Sequence, residues 1–294
     1  MPEMPEVETV RRTLEPLIKG KIISNVTIWY DKIIVNDADL FQRKVVGQKI
    51  SAIDRYGKYL LIRLTNNLTI VSHLRMEGKY HFLDSDTPKQ KHEHVQFAFS
   101  DNTYLRYDDV RKFGRMQLIE TGTERRNTGI KNLGFEPNSE DFTLDFFLNR
   151  VKARKRAIKN VLLDQSIVCG LGNIYTDEVL WQSKIHPLSI ANKIAQDSLV
   201  ELFYDINNTI KIAIQYHGTT FHSFLDADGH TGKYQSMLKV YGKSGEPCSR
   251  CNTTLEKIKV NGRGTTFCPL CQVVPTYDEL FLPLAFLAFK ITSI

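Results

Sequence analysis

The chain nowhere carries the eighteen or more consecutive apolar residues of a membrane-spanning helix, and its N-terminus lacks a signal-peptide pattern. A membrane or secreted protein is therefore not expected, and the cytoplasm is the expected location. Cysteine is scarce: five in 294 residues, four of them in two C-x-x-C pairs. That usage fits a metal site in a reducing compartment better than a disulfide framework. No internal repeat or low-complexity segment stands out. With 42% hydrophobic and 24% charged residues, the composition is that of a globular chain long enough for two domains. The net charge of +6 is a modest bias towards anionic partners such as nucleic acid.

What the chain does have begins at once, with Met1-Pro2-Glu3. A small residue after the initiator favours removal of Met1, which would leave Pro2 a free secondary amine with Glu3 beside it. An α-amino group has a pKa of roughly 8 against about 10.4 for lysine, so at pH 7 about a tenth is neutral. Such an amine is a nucleophile for Schiff-base chemistry, with a carboxyl in reach for proton transfer. Taken alone, Pro2 reads far better as an ordinary start residue; the rest of the sequence reverses that.

Val7, Val10, Leu14 and Leu17 recur at three- and four-residue steps, predicting an amphipathic helix over 6–19 closed by Gly20. Pro16 is expected to kink or shorten its last turn. Packing this helix would pin the N-terminus, as a catalytic amine requires. From 21 to about 120 the pattern turns to short β-rich runs at 22–29, 49–53, 59–64, 68–73, 95–99, 104–107 and 115–119. Many short strands with alternating faces predict an antiparallel sandwich. Residues 121–140, with Gly122, Gly129, Gly134 and Pro137, read as a connection. Helical spacing follows at 141–150, 158–165, 174–183 and 198–216, so the fold class is α+β. The glycine-bearing stretch from Gly218 to Gly232 reads as a long mobile loop.

Cys248-x2-Cys251 and Cys268-x2-Cys271, sixteen residues apart, have the spacing of a tetrahedral zinc ribbon. Four thiolates close the coordination shell, so the zinc is structural and not catalytic. The intervening 253–260 and 264–267 read as a β-hairpin with Gly262-Arg263-Gly264 at its tip. An arginine held between two glycines there can enter a groove. Residues 239–263 carry six basic side chains against two acidic ones, which fits either a solvated face or a polyanion. Cys169 reads as a small buried residue.

Six cations fall within 150–159, among them Lys155 and Lys159, just before the Gly170-Leu171-Gly172-Asn173 turn that opens a helix. Backbone amides at such a turn, with lysines near, suit a phosphate, although a charged helix face reads the same way. His73-Leu74-Arg75-Met76 and Arg111-Lys112-Phe113-Gly114 each set an apolar side chain among cations at a strand end. That combination can wedge between bases. A lone Phe or Met is otherwise a core residue.

Taken together, these segments resemble the formamidopyrimidine-DNA glycosylase family, bacterial base-excision enzymes that remove 8-oxoguanine and ring-opened purines. The resemblance runs from Pro2 to about Cys271. It is carried by Pro2 to Val10, Arg55-Tyr56-Gly57-Lys58-Tyr59-Leu60, Ser72 to Gly78, His92-Glu93-His94-Val95, Asp109 to Gly114, Gly170 to Tyr175, and the ribbon with Gly262-Arg263-Gly264. It implies an N-terminal β-sandwich with its N-terminal helix, a helix–two-turn–helix domain and the zinc finger, with double-stranded DNA bound in the cleft between. The division expected is 1–130 for the catalytic sandwich, 131–145 for a linker, 146–237 for the helix–two-turn–helix domain, 238–272 for the finger and 273–294 for a tail. By the same resemblance, Pro2 is the nucleophile at the sugar C1′ and Glu3 the acid/base. Lys58 assists at the lesion and in elimination, and Arg263 grips the phosphates flanking the flipped nucleotide. Met76, Arg111 and Phe113 match the residues that fill the vacated stack, with Arg111 facing the orphaned cytosine. His73, His94, Lys155, Lys159 and Asn173 fall where the family contacts the phosphate backbone. Residues 218–234 match the loop that closes over the damaged base.

Three departures are visible. Met4 stands where the family usually has Leu, a near volume-conserving change. Lys112, counted among the DNA-contacting residues, stands where many members have a second Arg, whose bidentate fork a lysine lacks. The chain also continues past Cys271 with an apolar run at 281–290. The function expected is a monomeric bifunctional glycosylase and abasic-site lyase acting on oxidised purines by β,δ-elimination. The alternatives are the endonuclease VIII branch, which prefers oxidised pyrimidines, and a non-catalytic zinc-ribbon DNA-binding protein.

Overall fold

The computed structural model describes residues 2–219 and 232–274. The first helix, α1 (Met4–Ile18), carries Pro5 in its opening turn and buries Met4, Val7, Val10, Leu14 and Ile18. Pro16 does not shorten it as expected. The helix continues to Ile18 and is closed by a Lys19 N–H to Glu15 carbonyl bond. Pro16 is exposed, so the one main-chain bond it forfeits faces water.

Eight strands follow in two antiparallel sheets. The first is ordered β1 (Ile23–Ile28), β6 (Glu93–Phe99), β7 (Tyr104–Asp108), β5 (Lys79–Leu83). The second is ordered β2 (Ile50–Tyr56), β3 (Tyr59–Leu64), β4 (Leu68–His73), β8 (Arg115–Glu120). Between the inner faces lie Val26, Ile53, Leu60, Ile62, Ile70, Phe97 and Leu105 in one core, to which α1 adds Val7, Val10 and Leu14. Two elements were not expected from the sequence. Strand β5 is one, and α2 (Ala38–Val45) the other, its first turn capped by Asp37, which accepts from Leu40 N–H at 2.7 Å. The connection at 121–140 is also less plain than expected, for it holds α3 (Glu124–Asn127) and a 3-10 turn at Gly129–Asn132.

The second core belongs to α4 (Leu144–Lys152), α5 (Ile158–Leu162), α6 (Asn173–Gln182) and α7 (Gln196–Gln215). Helix α5 ends earlier than the spacing predicted. Every residue of α6 from Ile174 to Trp181 is buried, because α6 packs on α7 on one side and on the finger hairpin on the other. Met4 belongs to this second core, while Val7 onward belongs to the first. Helix α1 thus straddles the two domains and fixes its N-terminal residues at their junction. The finger hairpin is β9 (Glu256–Val260) with β10 (Arg263–Phe267). Its turn is Asn261-Gly262, with φ of +46° and +77°, the two left-handed residues a tight hairpin demands. Among the described residues, no helix is long and apolar enough to cross a membrane. The apolar run at 281–290 and most of the 218–234 loop lie outside the described residues.

Candidate active site and DNA interface

Glu3 precedes α1 in extended conformation, and its N–H donates to the Glu6 carboxylate at 2.8 Å. Its own carboxyl reaches across to the start of α6, accepting from Gly172 N–H at 2.5 Å and Ile174 N–H at 2.8 Å. A Cβ at position 172 would collide with that carboxyl, so the approach depends on glycine. Only 2% of Glu3 is exposed. Burial lifts its pKa to about 7; Lys58 pulls it back, Glu6 adds to the rise, and the two amides lower it. A carboxyl poised there can give or take a proton near neutrality. Pro2 is buried next to it.

Gly57, at φ +57°, turns β2 into β3 and delivers Lys58 to the same place. The Lys58 ammonium donates to the Leu171 carbonyl at 2.7 Å, and burial lowers its pKa against the opposing pull of Glu3. The turn is clamped from three directions. Arg55 pairs with Glu8 of α1 at 3.1 Å, donates to the Gly57 carbonyl at 2.9 Å and pairs with Glu136, which also accepts from Gly57 N–H. Cys169, as expected, is buried, with its sulfur where a side chain at Gly57 would go.

Lys58, His73, Arg75, Gly172 and Arg263 line a cleft of about 270 Å³. Four cationic or imidazole groups lining one cleft, three from the sandwich and Arg263 from the finger, suit a phosphodiester. His73 Nδ1 accepts from Arg75 N–H at 2.9 Å, so the ring proton sits on Nε2. Burial, with Arg75 and Lys58 near, holds its pKa down at about 3, so it offers that N–H as a neutral donor. Arg263 is exposed at the start of β10, and Asn173 Nδ2 donates to the Gly264 carbonyl at 2.9 Å, tying α6 to the hairpin beside it.

Two expected phosphate contacts face inward instead. Lys159 is wholly buried, and its three ammonium protons are taken by Asp177 at 2.5 Å, Thr265 Oγ1 at 2.7 Å and the Gly264 carbonyl at 3.3 Å. It holds the finger hairpin onto α6, while Lys155 four residues earlier is exposed. His94 is 4% exposed and donates from Nε2 to the Asp109 carbonyl at 2.8 Å, so its ring supports the 109–114 loop. Periodicity could not reveal either, since the Lys159 partners lie 18, 105 and 106 positions away and the His94 partner 15.

Met76, Arg111 and Phe113 come together. Arg111 Nη1 lies 3.0 Å from Met76 Sδ, and its guanidinium stands 4.7 Å over the Phe113 ring. Met76 and Phe113 are 41% and 47% exposed, which excludes the core-residue reading. Lys112, between them at φ +58°, turns back and places its ammonium 4.7 Å over Tyr30.

The four cysteine sulfurs lie within 4.8 Å of one another, with Cys251 3.5 Å from Cys268 and 3.4 Å from Cys271. A tetrahedral zinc with Zn–S of about 2.3 Å sets its sulfurs roughly 3.8 Å apart, so the residues fit one structural zinc. Trp181 of α6 donates from Nε1 to Cys248 Sγ at 3.4 Å, and Arg250 stacks over its ring at 4.0 Å. The Glu178 carboxylate accepts from the main-chain N–H groups of Lys239, Val240 and Tyr241 at 2.8–2.9 Å, anchoring the entry to the finger. Glu6 was given no role from the sequence, although it stands within the first motif. It gathers the Glu3 N–H, the Tyr175 hydroxyl at 2.6 Å and the Thr219 N–H at 2.7 Å.

A buried carboxyl and a buried amine in a cation-lined cleft, between a β-sandwich and a helical domain bearing a zinc finger, define an enzyme that works on a polyanion. Comparison with known proteins gives the family. Residues 1–116 match the formamidopyrimidine-DNA glycosylase N-terminal domain, 133–224 its H2TH domain, and 245–273 the zinc finger found in FPG and IleRS. The chain is 64% identical to the formamidopyrimidine-DNA glycosylase of Lactobacillus johnsonii over 274 residues, 93% of this chain and 99% of that one. It superposes on the Lactococcus lactis Fpg bound to abasic-site DNA with a TM-score of 0.88 at 42% identity, covering 92% and 99% of the two chains. It also superposes on a MutM in complex with carbocyclic 8-oxo-G containing DNA, with a TM-score of 0.88 at 43% identity, covering 92% and 100%. The chain belongs to the formamidopyrimidine-DNA glycosylase family, the base-excision glycosylases with abasic-site lyase activity.

Proposed function

We propose that the chain excises oxidised purines, 8-oxoguanine and formamidopyrimidines, from double-stranded DNA and then cuts the abasic site it has made. The observation that carries this is the Glu3 carboxyl, held on the Gly172 and Ile174 amides near Lys58 and beside Pro2. Pro2, freed of Met1, attacks C1′; the new N–C1′ bond replaces the glycosidic bond and the base departs. Glu3 supplies the proton that opens the sugar ring. The resulting iminium loses the 3′ phosphate and then the 5′ phosphate by β,δ-elimination, assisted by Lys58. Arg263, His73, Lys155 and Asn173 hold the backbone, and Met76, Arg111 and Phe113 fill the stack from which the nucleotide was flipped. Lys112 adds a point charge at the rim, while Lys159 and His94 act through the loops they brace.

The Arg111–Phe113 pair and the Pro5-Glu6-Val7-Glu8 continuation favour purines over pyrimidines. The enzyme is taken to work as a monomer, and thiolate-bound zinc suits the reducing cytoplasm. The division into 1–130, 131–145, 146–237, 238–272 and 273–294 follows the same reading. The test is strand cleavage of duplexes carrying 8-oxoguanine opposite cytosine, an oxidised pyrimidine, or no lesion. Cleavage at 8-oxoguanine fastest of the three is expected. Faster cutting at the pyrimidine moves the chain to the endonuclease VIII preference, and binding without cutting makes it a non-catalytic DNA-binding protein.

A further inference from the structure

Tyr107 of β7 is wholly buried, yet its hydroxyl stands at the root of both loops that carry the exposed Met76–Arg111–Phe113 cluster. On one side is Gly78, which closes the first loop by donating its N–H to the Leu74 carbonyl at 2.9 Å. On the other is Gly114, which closes the second by donating to Asp109 Oδ2 at 2.7 Å. A Cβ on either glycine would collide with the Tyr107 hydroxyl oxygen. The hydroxyl donates to the same Asp109 Oδ2 at 3.4 Å, and Asp109 Oδ1 accepts from Arg111 N–H at 3.0 Å. Behind it the Tyr107 ring meets Tyr80 edge-on, centroids 5.3 Å apart, and the Tyr80 hydroxyl donates to Ser72 Oγ at 2.7 Å.

We propose that Tyr107 is a positioning residue: its hydroxyl sets the spacing of the two loops, so that Met76, Arg111 and Phe113 advance into the DNA stack as one wedge. This rests on the reading of those three as the plug for the flipped nucleotide. A phenol oxygen has no freedom apart from its ring, and the ring is locked by burial. Both loops therefore take their position from one rigid point. Without it, each glycine faces a void, and a shift of about 1 Å in a positioning group can cost ~100-fold in rate.

The test compares Tyr107→Phe with Tyr80→Phe in the full-length zinc-loaded protein. The readouts are excision of 8-oxoguanine opposite cytosine and opposite adenine, cleavage of a preformed abasic site, and melting. Tyr107→Phe should lower excision opposite cytosine about fivefold or more and compress the cytosine-over-adenine preference, with abasic cleavage within about twofold of the parent. Tyr80→Phe loses a buried hydrogen bond to Ser72 in which neither loop glycine takes part, and it leaves the Tyr107 hydroxyl in place, so its melting falls while the preference stays. Should Tyr107→Phe fail to fold, Gly114→Ala crowds the same oxygen from the opposite side and should erode the preference alike. A parental preference in the folded variant, or losses that merely track melting as in Tyr80→Phe, overturns the proposal. Arg111→Ala separates it from the wedge reading. If Arg111→Ala also keeps the parental preference, the wedge itself fails; if only Tyr107→Phe keeps it, the positioning role alone fails.

Discussion

The Glu3 carboxyl lies 2.5 Å from the main-chain nitrogen of Gly172, a hydrogen bond between residues 169 positions apart. It joins the residue that opens the sandwich domain to the residue that opens the central helix of the other domain. The carboxyl proposed as the catalytic acid is therefore aimed by the domain junction and not by its own neighbours in sequence.

Replacing Gly172 by Ala tests that aim. The φ of −133° at Gly172 is open to any residue, so the penalty is steric alone. A Cβ pushes the Glu3 carboxyl off both amides, and overpacking of this kind costs about 1–3 kcal/mol. Excision should fall at least ~10-fold, with a lower melting temperature. Activity within twofold of the parent would show that Glu3 acts from another position.

The pH dependence follows from the raised pKa of Glu3. Burial favours the protonated form, so the folded state keeps its full stability below the free carboxyl value of about 4.5 and loses some as pH rises through about 7. In the proposed mechanism the same group supplies the proton for ring opening, so excision should decline above pH 7. Cleavage of a ring-opened abasic substrate should not share that limb. Rate profiles of the two reactions from pH 5 to 9 check this, and a common falling limb would remove Glu3 from the step.

Metal removal should act locally. Chelation or Cys248→Ser should release one zinc, disorder the hairpin that carries Arg263 and abolish DNA binding, because structural-zinc binding energy is folding energy. Trp181 touches Cys248 Sγ at 3.4 Å and is one of two tryptophans, so its fluorescence should report the change while the β-sandwich stays folded. DNA binding retained in metal-free protein contradicts the assignment.

At the wedge, exposure sets the expected energies. Truncating a buried Phe costs about 3–5 kcal/mol, but Phe113 is 47% exposed, so Phe113→Ala should cost under ~1 kcal/mol in melting. Arg111→Ala should likewise leave melting unchanged while weakening excision and blurring the preference for cytosine opposite the lesion. Large melting losses in either variant would return these residues to the core.

Much of this was legible because local pattern and tertiary role agree. Alternation gave seven of the strands, three- and four-residue steps gave α1, α4, α6 and α7, and the cysteine spacing gave the finger. Strand β5 escaped because it is short and its alternation is blurred: Tyr80 and Phe82 share the core face, but Tyr80 is buried and Phe82 only partly so, and His81 between them on the other face is as half-buried as Phe82. Helix α2, at eight residues, is too brief for its periodicity to stand out. In the site, the glycines and basic motifs were readable, but the destination of each charge was not. Lys159 and Lys155 look alike in a row of six cations; only packing against Asp177 and Thr265 sends one inward. Glu6 is likewise one carboxylate among three in the first eight residues until Tyr175 and Thr219 converge on it.

The central claim is that the Pro2 amine, aimed by α1 and served by Glu3, is the nucleophile. Borohydride reduction of the reaction with 8-oxoguanine duplex should trap a covalent protein–DNA adduct, and peptide mapping by mass spectrometry should place it on an N-terminal peptide that begins at Pro2, with Met1 gone. An adduct on Lys58, or trapping by protein that retains Met1, would contradict the account.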